Sequence, residues 1–371
     1  FHVRNTCIKN TQVTKPPAGV VISDVPLDIE GRNMNYSQQL QKGYAFMTRG
    51  RLRIPFVFNN KLSLFVGHVA KPAVLLCGHL DVVEGRDEQF NPRLEGDKLI
   101  GRGSLDMKSG DAVLIEYTKN NFKTNENFGL LLTGDEEIGG INGVGSLVER
   151  GYGATEAVVI PDGGQSHLNL VVKEKGVLQL AVIAHGKAAH GSRPWDGVNA
   201  IGLLNNFLPK FENFFTPHNE HPDGHWVTTC NVGKIEGGLA INQVSDLATA
   251  HCDIRYTERD QPEKIIERAK SICPPEIQIE VMFNEPMFLA DPESPTLKHY
   301  RAAIKSVTRN NAKIIFSHGS SDARFFTVNN VPVIISQPTG EGLHGPDEWV
   351  SVKAIEEYYK ILEDFMKRIA A

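Results

Sequence analysis

Short, nearly unbroken apolar runs that stop dead at glycine, proline or acid are the feature that most constrains this chain. Ala73-Val74-Leu75-Leu76-Cys77 runs into Gly78-His79-Leu80-Asp81, and Gly129-Leu130-Leu131-Leu132-Thr133 into Gly134-Asp135-Glu136-Glu137. Ala157-Val158-Val159-Ile160 gives way to Pro161-Asp162-Gly163-Gly164 in the same manner. Strands that are apolar on both faces are buried on both faces, which is the habit of parallel sheets rather than of solvated antiparallel ones. Asp111 to Tyr117 and Val144 to Arg150 read as helices between them. Strands alternating with helices predict an α/β fold, a mostly parallel sheet with helices on both faces. Open sheets of this kind place their chemistry just past the C-terminal ends of the strands, where these polar clusters lie.

The texture changes near Lys175. Longer, partly alternating strands are expected at Val177 to Ile183, Thr228 to Ile235, Asp246 to Tyr256 and Ile277 to Phe283. Helices are expected at Ala200 to Leu208, stopped by Pro209, and at Pro262 to Ser271. After Pro286 the first texture returns, with a helix at Leu297 to Val307, a strand at Val331 to Ile335 and a closing helix from Val352. The expected organisation is a discontinuous α/β domain, 1–174 and 285–371, carrying an inserted α+β domain, 175–284. The first seventy residues are the least readable, offering only a turn at Lys15 to Gly19 and a helix at Tyr36 to Thr48.

A length of 371 residues suits two domains, and a net charge of −5 without a Lys/Arg block argues against nucleic acid or an anionic membrane as partner. No apolar run reaches the ~18–20 residues of a membrane-spanning helix. The 5 cysteines are thinly spread, which fits a reduced, cytoplasmic setting better than a disulfide scaffold. The visible N-terminus, Phe1 onwards, does not read as a signal peptide, and a leader removed ahead of it is compatible with the missing initiator Met.

His79 and Asp81 are spaced so that a carboxylate can support the imidazole and strengthen it as a metal ligand. Gly101-Arg102-Gly103-Ser104-Leu105-Asp106-Met107-Lys108 brings a carboxylate in behind two glycines, without the pattern of a phosphate loop. Three successive acids at Asp135 to Glu137 are costly after a buried strand unless cations or protons compensate them. Leu343-His344-Gly345-Pro346-Asp347-Glu348 adds a late histidine in a Gly/Pro turn. Each piece alone also fits a solvated loop. Together they form a nitrogen and oxygen donor set without thiolate, suited to two Zn²⁺ ions; Co²⁺ and Mn²⁺ suit similar sets.

These motifs, in order from Gly78 to Glu348, resemble the dinuclear zinc hydrolase family of succinyl-diaminopimelate desuccinylase, acetylornithine deacetylase, aminoacylase and glutamate carboxypeptidase. The resemblance implies that His79 and Asp162 hold one zinc, that Glu137 and His344 hold the other, and that Asp106 bridges them. It makes Asp81 the partner of His79, Glu136 the general base, and Asp106–Met107 a candidate cis peptide. Gly186 to Pro194 resembles the family's lid motif, whose histidine, here His190, stabilises an oxyanion and in dimeric members comes from the partner subunit. By the same resemblance Asn242, Arg255, Ser320 and Arg324 line the substrate pocket, although a structural salt bridge serves equally well for either arginine.

Two departures bear on substrate. Asp162 stands where the deacylases usually carry Glu, and Lys173-Glu174-Lys175-Gly176 replaces an arginine-containing stretch of the desuccinylase. The resemblance therefore implies hydrolysis of an amide or peptide bond in a small carboxylate-bearing substrate, of the dipeptidase or carboxypeptidase kind. The alternatives are an N-acyl amino-acid deacylase or a catalytically silent peptide-binding relative. A homodimer through the inserted domain is expected. His218, His221 and His225 are read as an exposed loop rather than a further metal site.

Overall fold

The computed structural model describes residues 53–58, 61–122, 127–215, 226–327 and 330–370. The turn and helix expected at Lys15 to Gly19 and Tyr36 to Thr48, and the three loop histidines, lie outside these residues. In chain order the main elements are β1 (Arg53–Phe58), β2 (Lys61–Val66), β3 (Val74–His79), α1 (Ser109–Asn121), β4 (Phe128–Thr133), β5 (Ala157–Ile160) and β6 (Asn169–Glu174). They continue as β7 (Gly176–His185), α2 (Ala200–Glu212), β8 (Thr229–Gly237), β9 (Leu247–Tyr256), α3 (Pro262–Ser271) and β10 (Ile277–Glu285). The chain closes with α4 (Pro295–Thr308), β11 (Val333–Ile335) and α5 (Val352–Ile369).

Two compact units result. Of the described residues, the first takes those through Val172 together with those of 290–315 and 321–370; the second takes those of 173–289 and 316–320. The inserted segment read from the sequence lies within the second unit, which also recruits Phe316–Ser320 from far downstream. No sequence feature marks that return.

In the first unit the sheet runs β1-β2-β4-β3-β5-β11-β6. Its centre, β4-β3-β5-β11, is parallel, and the flanking pairs β1/β2, β2/β4 and β6/β11 are antiparallel. All six residues of β3 and of β4 are buried, as their unbroken apolar character requires. Leu76, Leu130, Val159 and Ile334 form a single core with Leu114 and Tyr117 of α1, Tyr300 of α4, and Tyr358 and Phe365 of α5. The Tyr358 hydroxyl, fully buried, donates to the Ser336 carbonyl at 2.7 Å, so a ring that would otherwise carry an unpaired polar atom is satisfied. On the other face Leu75, Leu131 and Val158 are fully buried as well.

Register sets the site. His79 pairs with Thr133, and Ile160 with Ile335, so adjacent parallel strands end nearly level. Their polar continuations emerge together at one rim.

The second unit is a four-stranded antiparallel sheet, β8-β9-β7-β10. One face packs Leu178, Leu180, Cys252 and Ile254 with Leu204, Phe207 and Phe211 of α2 and Ala269 of α3. One expectation fails here: α2 does not stop at Pro209 but runs on to Glu212. A proline inside a helix forfeits one backbone bond and disfavours the preceding turn. Burial of Leu208 and Phe211 on either side of it, each worth roughly 1.5–3 kcal/mol, outweighs that loss. At its start Asn199 caps α2, its side-chain oxygen accepting the Ile201 and Gly202 N–H groups at 3.0 and 3.3 Å. Among the described residues no helix is long and apolar enough to cross a membrane.

Candidate metal centre

Seven of the residues singled out in the sequence meet at the strand-end rim of the first unit. His79 ends β3 and is 1% exposed. Its Nδ1 lies 3.1 Å from the Asp81 carbonyl oxygen and 3.4 Å from the Asp81 carboxylate, which marks Nδ1 as the protonated, donating nitrogen. Nε2 is thereby left facing the rim, 3.1 Å from Oδ1 of Asp106. The Asp81 carboxylate does further work: its two oxygens accept the N–H groups of Glu136 and Glu137 at 3.3 and 3.0 Å, tying the acidic loop to the end of β3.

Asp106 stands between two histidines. Its Oδ1 faces His79, and its Oδ2 faces Nε2 of His344 at 3.0 Å. His344 Nε2 is also 3.2 Å from Oε2 of Glu137, whose Oε1 accepts the Val83 N–H at 3.1 Å. On the other side, Asp162 Oδ2 lies 4.0 Å from His79 Nε2. Two donor groups thus overlap, His79–Asp106–Glu137 and His79–Glu136–Asp162, with donor atoms in each all within 4.8 Å of one another. Among the described residues the Glu136 carboxylate accepts no hydrogen bond, unlike that of Glu137. The Asp106–Met107 peptide is cis, as the resemblance implied.

The electrostatics follow from crowding. Burial opposes the charged ring of His79, but its bonds to Asp106 and Asp81 prevail and hold it well above the usual histidine range. Bonds to Asp106 and Glu137 push His344 up to about 10. Burial works to raise Asp106, yet the two histidines hold it well below the usual carboxylate range. Burial, reinforced by the nearby Asp162 carboxylate, drives Glu136 well above it. So many acids around two basic rings form a pocket that calls for added positive charge. Imidazole and carboxylate donors with no thiolate, and one carboxylate shared between two sides, fit divalent cations of the zinc type.

Of the remaining sequence candidates, four belong to the second unit and Arg324 to the first. His190 and Asn242 belong to the second unit, where a two-residue ladder pairs Ala189–His190 with Gln243–Val244. The Gly191 N–H donates to the Asn242 carbonyl at 2.7 Å, so the two lid-like motifs adjoin. His190 is exposed, with Nδ1 2.8 Å from the Ser192 hydroxyl. Arg255 gives its Nε to Asp253 at 2.8 Å, and Ser320 lies in the segment that the second unit recruits. Arg324 is buried in the first unit and donates to the carbonyls of Ser321 and Gly139 at 2.5 and 2.7 Å. Through the Gly139 carbonyl it braces the loop that follows the acidic cluster.

Two residues that carried no role in the sequence reading stand behind the rim. Glu348 and Arg102 form a buried pair at 2.8 Å, and Glu348 also accepts the Asp106 N–H at 3.0 Å. The spacing of Glu348 after His344 was a visible signal, but nothing local pointed to Arg102 as its partner.

Residues 75–368 match the model of peptidase family M20/M25/M40, and the chain belongs to that family. It is a metal-dependent hydrolase of the class that acts on amide and peptide bonds. Among curated proteins it is 28% identical over 333 residues to succinyl-diaminopimelate desuccinylase of Ehrlichia ruminantium (strain Gardel), covering 83% of this chain and 84% of that one. Among solved structures it resembles an M20 family metallo-carboxypeptidase from Sulfolobus solfataricus, with a TM-score of 0.69 at 18% identity over 89% of this chain and 93% of that one. A tripeptidase from Staphylococcus aureus gives a TM-score of 0.68 at 19% identity, over 90% and 92% of the two chains.

Proposed function

We propose that this chain is a two-zinc hydrolase of small carboxylate-bearing peptides, of the dipeptidase or carboxypeptidase kind. The observation that carries the reading is Asp106, one oxygen turned to each of two histidines. His79 and Asp162 would hold one zinc, Glu137 and His344 the other, with Asp106 between. Bound cations supply positive charge that polarises the scissile carbonyl and acidifies the attacking water. Glu136 takes the proton from that water and delivers it to the leaving amine. A base must be unencumbered, and Glu136 is, whereas Glu137 is anchored to Val83 and His344. Asp81 keeps His79 in the tautomer that presents Nε2 and holds the loop carrying both glutamates.

The second unit is read as a lid. His190 donates to the developing oxyanion, Asn242 stands beside it, and Arg255 and Ser320 serve the substrate carboxylate; Arg324 shapes the pocket through the loop it braces. For His190→Ala a fall in kcat of ~10²–10³ with the metal retained is expected. An unchanged kcat would remove His190 from the chemistry. The unit's sheet leaves β8 as an edge strand, and Ile235, Leu239, Ile241 and Ile201 of α2 are exposed around it. Edges and apolar patches of this kind need cover, and a second copy of the chain supplies it. Light scattering is expected to return twice the 41.0 kDa chain mass, and a monomer at micromolar concentration would contradict the dimer. Five cysteines, thinly spread along the chain, suit a reducing compartment such as the cytoplasm.

The test is turnover by the zinc-loaded protein on a panel of dipeptides, tripeptides and N-acyl amino acids. Cleavage of peptides with a free C-terminus is the expected result. Cleavage of acyl amino acids alone would favour the deacylase reading, which the desuccinylase similarity supports. Zinc bound with no turnover on any of them would favour a silent binding protein.

A further inference from the structure

The pair Arg102–Glu348 is buried to 4% and 1% side-chain exposure and lies outside the donor groups, yet it touches both loops that meet at Asp106. Glu348 Oε1 accepts the N–H groups of Leu105 and Asp106 at 2.8 and 3.0 Å. Its Oε2 accepts the Gly103 N–H at 3.0 Å and Nη1 of Arg102 at 2.8 Å. The other arm of the guanidinium, Nη2, donates to the carbonyls of His344 and Gly345 at 3.0 and 3.1 Å. One carboxylate therefore anchors the segment leading into Asp106, and one guanidinium anchors the turn that carries His344.

His344 needs that anchor. Its side chain is 49% exposed, so packing does not fix the ring, and its backbone sits at φ 58, a left-handed conformation unusual for a residue with a side chain. Gly342 in the same turn has φ 82, and the Gly345 N–H closes the turn on the Gly342 carbonyl at 2.7 Å. A turn of this kind is set from its carbonyl side, where Arg102 grips it.

We infer that Arg102 and Glu348 are positioning residues for the metal centre: Arg102 sets the His344 turn, and Glu348 sets the backbone of Asp106. The inference rests on the two-cation reading. The fork of arginine is essential, because one arm holds Glu348 while the other holds the turn, and the single ammonium of lysine cannot do both. Arg102→Lys keeps a charge beside Glu348 but releases His344. Glu348→Gln places an amide where N–H donors converge, and so loosens Asp106 itself.

The experiment is stepwise Zn²⁺ binding to the metal-free full chain, followed by competition with a chromophoric chelator. Wild type, Arg102→Lys and Glu348→Gln are compared with His344→Ala as the reference for a lost ligand, and the Tm of each metal-free protein is recorded. Groups that orient ligands commonly contribute about 10–100-fold to metal affinity. Arg102→Lys is expected to lose that factor in the step that His344→Ala impairs and to leave the other step within about twofold of wild type. Glu348→Gln is expected to weaken both steps, since Asp106 borders both ions. Two wild-type steps left unchanged in Arg102→Lys, or lowered together in it, would overturn the role of Arg102. Two steps left unchanged in Glu348→Gln would overturn that of Glu348, whether or not the arginine variant folds. A wild-type protein that takes up fewer than two ions would overturn the two-cation reading and this inference with it.

Discussion

Glu136→Gln is expected to keep both metal ions and lose about 10²–10⁴ of kcat, the range a positioned general base contributes. The substitution preserves size and removes the charge that accepts the proton. The metals should stay because the anchored donors are elsewhere: Glu137 on Val83 and His344, and His79 on Asp81 and Asp106. The Glu136 N–H, bonded to Asp81, is untouched by the change, so the loop keeps its path. Metal content by elemental analysis and kcat on the peptide cleaved fastest are the two readings. Full activity would show that another group moves the proton, and loss of metal would make Glu136 a ligand.

Asp106→Asn is expected to have the larger effect on binding. An amide offers one neutral oxygen where two anionic ones face His79 and His344. Both ions should then bind at least ~10-fold more weakly, the lower end of what losing even an orienting group costs a metal site, and turnover should fall to background. The contrast with His344→Ala is informative, because His344 lies on the Glu137 side only and its loss should spare the ion on the Asp162 side. If Asp106→Asn weakened only one ion, the shared carboxylate would be the wrong description. Calorimetric titration of the metal-free proteins with Zn²⁺ resolves the two cases.

What could be read from the amino acids alone divides along a physical line. Ala157–Ile160 and Pro262–Ser271 have the bounds expected of them, because unbroken apolarity and a proline at a helix start are local signals. Five of the rim residues, His79, Asp81, Glu136, Glu137 and Asp162, were legible for a related reason: an acid or histidine at or just past the end of a buried strand has no packing role to explain it. Three things were not legible. Pro209 reads locally as a stop, but burial of Leu208 and Phe211 carries the helix through it. The hairpin of β1 and β2 and the recruitment of Phe316–Ser320 depend on partners distant in sequence. Arg102 and Glu348 find each other across 246 positions, and no local pattern announces a pair of that separation. The role of Asp81 was only half visible: i to i+2 spacing suggested a carboxylate behind the imidazole, whereas its carbonyl lies nearer the ring and its carboxylate holds the acidic loop.

The most direct measurement is an anomalous difference map from a crystal of the zinc-loaded protein, collected on either side of the zinc edge. Two peaks flanking the Asp106 carboxylate are expected, one shared with His79 and Asp162 and one with Glu137 and His344, with Glu136 facing the gap but bound to neither. A single peak, or peaks away from Asp106, would contradict the account.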